Sequence, residues 1–577
     1  VLRRIRHALW GAAVVTPTFA AALVCSPRDA RASNVTEVPD NGSEQMARGG
    51  AWIARASDPL ATAFNPAGLA GQPSRVTIQS SFVFHHTCFS RVKAADDTSI
   101  DLLADGATGR FPRVCNDIEP TFNPQLGGTL RVTDRLGIGA LVIGPASAGE
   151  TNFPEFVEDG AGTRRAAPQR YLLTRQAGII LFPTIGVGYE VVSNLRLGVS
   201  FGWGFAKVKN AAATFALNSG GQTSDNDVRA NLQVRDYFIP RVSAGALWSV
   251  TPNIDVAGWY QWTDALRATG DVGTATSYYT AANARGDDSR VGYGDTIFSD
   301  CGTGRPQDEG KCGKGDNAKV KLVLPMEAKV GFRYHRPRVS SDEALVGARR
   351  GSAEGGTREE AQASPVTGKS YRRDPLANDV FDVEIDLTWA NNSAIDSLEV
   401  RFPSDPSGSG RLPVSGINSE IPPNADQPRH YRDVFGVRVG GDYNVLPDQL
   451  ALRAGAYIET KGGRDQFQHL DFPASQRIGF ALGGTYRIRL GKDPARTDAI
   501  EIMVGYGHTF FADQSRTDPS ATGIGALAGT PCPGDATVAG PNRCSDGTQR
   551  YRTSWPVNLG TMTNGMNVVN VGVAYRF

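Results

Sequence analysis

The sequence predicts a transmembrane antiparallel β-barrel of about fourteen strands, with a small folded N-terminal plug in its lumen. Three observations point there. Segments of about ten residues alternate between apolar and small or charged side chains along most of the 577-residue chain. The connections between them alternate between tight and long, with cysteines in local couples on the long side. The last stretch, MNVVNVGVAYRF, sets Val569, Val571, Val573, Tyr575 and Phe577 on one face.

The first residues read as a signal peptide spanning 1–32. Arg3, Arg4 and Arg6 form a basic start, Ala8 to Val24 an apolar stretch, and Ala30-Arg31-Ala32 a cleavage site before Ser33. Pro17 and the brevity of the stretch argue against a retained membrane helix, and the bulk of Val24 argues against lipidation of Cys25. Removing five arginines and one aspartate leaves 55 basic against 58 acidic side chains. With no dominant basic patch, a nucleic-acid partner is excluded. No later run reaches the roughly 18 apolar residues of a membrane helix. The 66 glycines and the near absence of helical periodicity favour one large all-β unit over several soluble domains.

Residues 33–73 precede the strands, and their centre, Gly49 to Gly71, is too small-residued and too broken for a core helix or a strand. Asp58-Pro59 reads as a helix cap followed by proline at the first helical position. That helix must stop before Pro66, since a residue preceding proline avoids the α region. Asn65-Pro66 repeats the start, and Gly68 and Gly71 let the chain turn out. The expectation is a compact plug.

The barrel is assigned to residues 74–577. One strand sets Leu195, Leu197, Val199, Phe201, Trp203 and Phe205 against Arg196, Gly198, Ser200, Gly202, Gly204 and Ala206. Another sets Phe381, Val383, Ile385, Leu387 and Trp389 against Asp382, Glu384, Asp386 and Thr388. A third sets Ile478, Phe480, Leu482, Tyr486, Ile488 and Leu490 against Arg477, Thr485, Arg487 and Arg489. In a soluble sandwich the greasy faces would meet inside. In a barrel they meet lipid, and Arg196, Arg333, Arg438, Arg453, Arg487 and Arg489 neutralise Glu190, Glu327, Asp382, Glu384, Asp386 and Glu501 in a polar lumen. The abundant glycines and paired charges favour the barrel.

Strands are expected to start near residues 74, 122, 136, 178, 194, 236, 254, 319, 379, 433, 449, 477, 499 and 566. Tight turns fall near Asp134, Asn194, Asn253, Pro447 and Asp493; the other connections are long, the pattern of outer-membrane barrels with short periplasmic turns and long external loops. The couples Cys88 with Cys115, Cys301 with Cys312 and Cys532 with Cys544 all fall on the long side, where short loop closure in an exported protein favours disulfides. None has zinc-ligand spacing. One connection, 336–378, is long on the periplasmic side and polar, and reads as a solvated insertion.

No convergent acid, base or nucleophile is legible, so no enzyme is expected. His85-His86 is the single adjacent pair among seven histidines, at the outer end of the first strand. The G-x-G fragments lie on strands without the helix a phosphate site needs. Two long-loop stretches, 210–217 and 274–284, are alanine-rich and are expected to form short helices.

Asn65-Pro66-Ala67-Gly68-Leu69, just after the mature N-terminus and followed by about fourteen strands and a terminal phenylalanine, resembles the hatch of FadL-type outer-membrane transporters of long-chain fatty acids and other hydrophobic molecules. The resemblance implies a passive monomeric transporter without cofactor or metal. It implies a hatch built on Gly50, Asp58, Asn65, Pro66, Ala67 and Gly68. It also implies an external groove where a hydrophobic ligand docks, with Phe215, Leu217, Tyr278 and Tyr279 as candidates. Tyr575 and Phe577 resemble the signal read by the barrel assembly machinery; membrane lipid and lipopolysaccharide are the surrounding partners. An adhesive or structural barrel, and a general aqueous porin, stand as alternatives.

Overall fold

In the computed structural model the described residues are 41–93, 105, 108–144, 150–159, 161–215, 227–275, 279, 315–338, 374–401, 412–414, 419–421, 426–490, 498–518, 538–540, 543–544 and 556–577. Fourteen strands form the wall. In chain order they are β1 (Arg75–Arg91), β2 (Thr121–Arg131), β3 (Leu136–Ile143), β4 (Arg175–Val192), β5 (Leu195–Phe215), β6 (Asp227–Thr251) and β7 (Ile254–Thr263, continued by Leu266–Ala275). Then come β8 (Gly315–Leu322 and Glu327–Pro337), β9 (Asp379–Ala390, continued by Ser397–Arg401), β10 (Val434–Leu446), β11 (Leu450–Glu459), β12 (Arg477–Arg489), β13 (Ala499–Phe511) and β14 (Gly560–Arg576).

Each strand pairs antiparallel with its sequence neighbour, and β1 pairs with β14 from Arg75↔Arg576 to Arg91↔Gly560, which closes the barrel. Closure removes the free edges of β1 and β14, so their backbone groups bond within the wall where lipid offers no partner. Among the described residues no helix is long and apolar enough to cross a membrane.

The outward faces carry the apolar band that lipid selects. Ile78, Ile185, Val199, Leu387, Leu482 and Val573 are all exposed side chains on strand interiors. Aromatic residues frame the band: Tyr189, Trp248, Tyr334, Tyr443, Tyr486 and Tyr575 near the tight turns, and Trp203, Trp262, Phe435, Phe480, Tyr506 and Phe510 towards the long loops. Two such girdles mark the water interfaces of a transmembrane barrel. Phe577 is half-exposed and stacks on Tyr575 with ring centroids 5.9 Å apart.

The stretch expected to be helical at 210–217 is strand as far as Phe215: β5 runs on to pair Ala211 with Asn231 and Phe215 with Asp227. Alanine permits a helix, but the hydrogen-bonding partner offered by β6 decides the local structure. Residues 274–275 likewise end β7 as strand, paired with Arg229 and Ala230. Leu217 and Tyr278 lie outside the described residues, as do Cys301, Cys312, Cys532 and almost all of the 336–378 connection. The end of that connection is described. Asp374 is buried at the tight-turn end of the barrel, where Arg487 donates to it at 2.8 Å and Arg576 also donates. Burial opposes its charge, and the two guanidiniums overcome this, holding its carboxyl well below the ordinary range.

Candidate functional site

Residues 41–73 lie inside the barrel, nearly all of them fully buried. Helix α1 (Ser43–Ala47) ends in a turn with Gly49 and Gly50 both at positive φ. Asp58 begins the next turn: its carboxylate accepts the Leu60 N–H at 2.7 Å and its carbonyl accepts the Ala61 N–H at 3.0 Å, leading into α2 (Ala61–Phe64). Asn65 then caps the 3₁₀ turn Pro66–Leu69, its Oδ1 accepting the Ala67 N–H at 3.3 Å while its Nδ2 donates to the Ile53 carbonyl at 2.9 Å. Asn65 therefore ties the two halves of the segment together as well as starting a turn. Gly68 packs so closely on Ala56 that a Cβ there would meet the Ala56 Cβ and carbonyl at 2.5 Å.

Carboxylates on the inward face of β9 hold this segment to the wall. Asp386 accepts the N–H groups of Trp52 and Ile53 at 2.8 and 3.1 Å, and Glu384 accepts those of Ala54 and Arg55 at 2.6 and 3.2 Å. Arg48 donates to Asp382 at 2.6 Å, Asp442 at 2.5 Å and Glu384 at 3.1 Å; Arg55 donates to Asp382 at 2.5 Å. Arg453 links Asp442 to Glu44 at 2.8 and 3.1 Å. These groups sit away from water, so each charge needs its partners: breaking one side strands the other. Wall glycines make the approach possible. A Cβ on Gly198 would lie 2.2 Å from the Pro66 carbonyl carbon, and one on Gly455 2.0 Å from Arg48 backbone.

The lumen is not polar throughout, as its charged strand faces suggest. The charged side spans β8 to β13. Beside it, one contiguous buried apolar cluster joins Trp52, Phe64 and Leu69 to Leu247, Trp259 and Ile239 on the wall, then to Val234, Leu266 and Val320, and on to Val400 and Tyr431 at the outer ends of the charged strands. Leu247 to Val234 alone is about 40 Å of strand. A bulge makes this possible. Between Asp236 and Ile239 the register of β6 slips, so that Val234, Asp236, Ile239 and Leu247 all face inward while Tyr237 and Phe238 both face lipid. Trp203 packs edge-on against Phe238 at 5.1 Å and donates its indole N–H to the Tyr237 carbonyl at 2.7 Å.

Among the described residues the wall has a gap. There β3 pairs with β2 only up to Leu126↔Val142, and Thr121–Gln125 of β2 have no described partner on that side. A cavity of about 330 Å³ opens there, lined by Phe122, Asn123, Pro124, Gly144, Ile180 and Leu181 among others. Ile180 also packs against the apolar cluster. Pro124 lacks an N–H and so fits a strand that has lost one partner.

A second apolar cluster closes the external end, with Phe89, Val114, Phe153, Phe156, Tyr171, Leu173, Leu470, Val557 and Met562. Tyr279 is buried within it; its hydroxyl donates to Glu155, which Arg229 also contacts at 2.8 Å, and its ring lies 5.8 Å from Phe156. Phe215 ends β5 two residues beyond Ala213, a member of the same cluster. Cys88 and Cys115 form a disulfide beneath this cap. His86 beside them makes the single three-residue group of metal-ligand type among the described residues, and two of its members are consumed by that disulfide. The charged residues of the lumen pair with one another and with the N-terminal segment, an arrangement that holds structure.

The fold has solved counterparts. A Pseudomonas aeruginosa FadL homologue superposes with a TM-score of 0.59 at 15% identity, covering 94% of this chain and 99% of that one. The fold is shared with FadL-type barrels. The Ralstonia pickettii toluene transporter TbuX has a TM-score of 0.50 at 12% identity, covering 93% of this chain and 99% of that one. The Pseudomonas putida toluene transporter TodX has a TM-score of 0.50 at 12% identity, covering 94% of this chain and 99% of that one. No protein-family model matches the sequence, and no curated protein matches it. The chain thus has the closed fourteen-strand antiparallel barrel fold of these solved transporters. The sequence reading anticipated the charged side of the lumen, but the apolar side and the wall gap escaped it; Pro124 and Pro183, prolines within strands, were the available signals.

Proposed function

We propose that this chain is a passive outer-membrane transporter of hydrophobic molecules, with residues 33–73 as its hatch. The observation that carries the reading is the apolar cluster running from Trp52 to Tyr431 inside a lumen otherwise lined with charge. A general porin needs an open aqueous lumen, and buried residues 41–73 occupy this one. An apolar solute crossing a polar lumen would gain nothing from leaving lipid, whereas an apolar lane returns about 25 cal/mol per Å² of surface removed from water.

The route begins under the external cap, beside Tyr279 and the end of β5 at Phe215; Leu217 and Tyr278, the other two candidates for the docking groove, lie outside the described residues. It follows the inward face of β6 and β7 to the hatch. There it leaves past a displaced hatch or sideways through the gap at Gly144 into the membrane. Residues 1–32 direct export and are removed. Long-chain fatty acids and small aromatic hydrocarbons both fit this chemistry, the latter in line with the toluene transporters that share the fold.

Uptake tests the reading. Cells lacking other hydrophobic-solute barrels should take up oleate or toluene when they express this chain, with no gain for a small hydrophilic solute. Asn65→Ala with Pro66→Ala should leave the barrel assembled and change hydrophobic uptake. Equal uptake of both solute classes by the unmodified chain would overturn the reading in favour of a porin; uptake of neither would favour an adhesive barrel.

A further inference from the structure

On the external rim a cleft of about 510 Å³ opens between the ends of β10, β11 and β13, on the charged side of the barrel and beside the outer end of the apolar lane at Tyr431. Four cations, Arg432, Lys461, Arg464 and Arg516, line it against two carboxylates, Asp465 and Asp518. Lys461 is paired with Asp465. Arg516 forms the buried floor, donating to the carbonyls of Asp518 at 3.1 Å and Gln466 at 3.2 Å and to the Asn558 amide oxygen. Arg464 spends one N–H on the His430 carbonyl at 3.0 Å. The nearest carboxylate in sequence to Arg432, that of Asp433, is engaged by the Trp389 indole and the Ser393 N–H. Two exposed guanidiniums, those of Arg432 and Arg464, thus face one cleft with no carboxylate partner among the described residues.

We propose that this cleft binds the phosphorylated sugar headgroup of an outer-leaflet lipid. Guanidinium forks match phosphate oxygens two at a time and bind them more strongly than neutral donors do. Height selects the lipid source. Arg432 lies three residues beyond the girdle residue Phe435, and Ser515 five beyond Phe510, so the cleft stands about 10–17 Å of strand above the aromatic interface. Ordinary headgroups reach only about 5–8 Å beyond the hydrocarbon, so the anionic groups within reach of the cleft are those carried on the sugars of a glycolipid. The cleft shares no residue with the lane, so the inference is independent of the transport reading.

The test uses the full-length barrel in detergent, compared with Arg432→Gln/Arg464→Gln. Probes are bisphosphorylated lipid A, the same lipid after dephosphorylation, and free glucosamine 1-phosphate, with binding read by native mass spectrometry and titration calorimetry. Heat-modifiable mobility confirms that the variant is folded. The unmodified barrel is expected to bind the bisphosphorylated lipid at least about tenfold more tightly than the dephosphorylated one. That preference should shrink in the double variant and with rising salt. Phosphate-blind lipid binding, or a preference that survives in the variant, would overturn the site. Binding of free glucosamine 1-phosphate as tightly as the lipid would overturn the lipid as its source.

Discussion

Asp386→Ala isolates the attachment of the N-terminal segment from the barrel that holds it. The carboxylate accepts two backbone N–H groups, from Trp52 at 2.8 Å and Ile53 at 3.1 Å, in a fully buried setting. Each hydrogen bond to a charged acceptor contributes about 1.5–3 kcal/mol, and its loss leaves a buried donor unpaired. Asp386 also crowds Glu384 two residues away on the same face, so its removal relieves some like-charge repulsion and offsets part of the loss. The net expectation is about 3 kcal/mol, or roughly a hundredfold in the local opening equilibrium. Hydrogen exchange followed by mass spectrometry reads this directly. Peptides within 48–57 should lose about two decades of protection, while peptides from β12, β13 and β14 keep theirs, because wall hydrogen bonding is untouched. Unchanged protection at 48–57 would refute the attachment by β9. Loss spread evenly over the wall strands would refute the idea that segment and barrel open separately.

Gly198→Val should push on the same segment from the opposite wall: its Cβ would fall 2.2 Å from the Pro66 carbonyl carbon, an approach that backbone cannot yield to cheaply. The barrel should assemble and admit a small hydrophilic solute that the unmodified protein excludes; exclusion by the variant would show that 66–69 does not block passage. Non-reducing peptide mapping should find Cys88–Cys115, Cys301–Cys312 and Cys532–Cys544, and cross-pairing between couples would contradict the assignment of these residues to three separate external loops.

The barrel was legible because lipid enforces a strict period of two. Expected starts at 136, 254, 379, 477 and 499 coincide with those of β3, β7, β9, β12 and β13. The two largest misses lie at the outer ends of strands. β6 begins at Asp227 where 236 was expected, and β14 at Gly560 where 566 was expected. The ribbon Asp227–Arg235 does alternate, with Val228, Ala230, Leu232 and Val234 on one face, but the bulge at Tyr237–Phe238 shifts its phase against the segment that follows, so a single alternating strand is legible only from 236 onward. The apolar lane was hidden for a related reason. In Asp255–Trp262 both faces carry aromatic residues, Trp259 inward and Trp262 outward, and the bulge at Tyr237–Phe238 exchanges the faces of β6 midway. Period-two reasoning cannot see a parity switch. In the N-terminal segment Asp58 and Asn65 were readable as turn starters, since capping is local chemistry. The carboxylates that anchor it were read only as lumen charge, because their partners lie more than 300 residues away.

Photoaffinity labelling tests the central claim, that a hydrophobic molecule travels along the apolar side of the lumen. Membranes containing the barrel would be irradiated with a diazirine-bearing fatty acid and a small diazirine-bearing aromatic, and the adducts mapped by mass spectrometry. Adducts on Trp52, Phe64, Ile239, Leu247 and Trp259, competed by unlabelled ligand, are the expected result. Adducts confined to the lipid-facing Tyr237, Phe238 and Trp203, and insensitive to competitor, would contradict it.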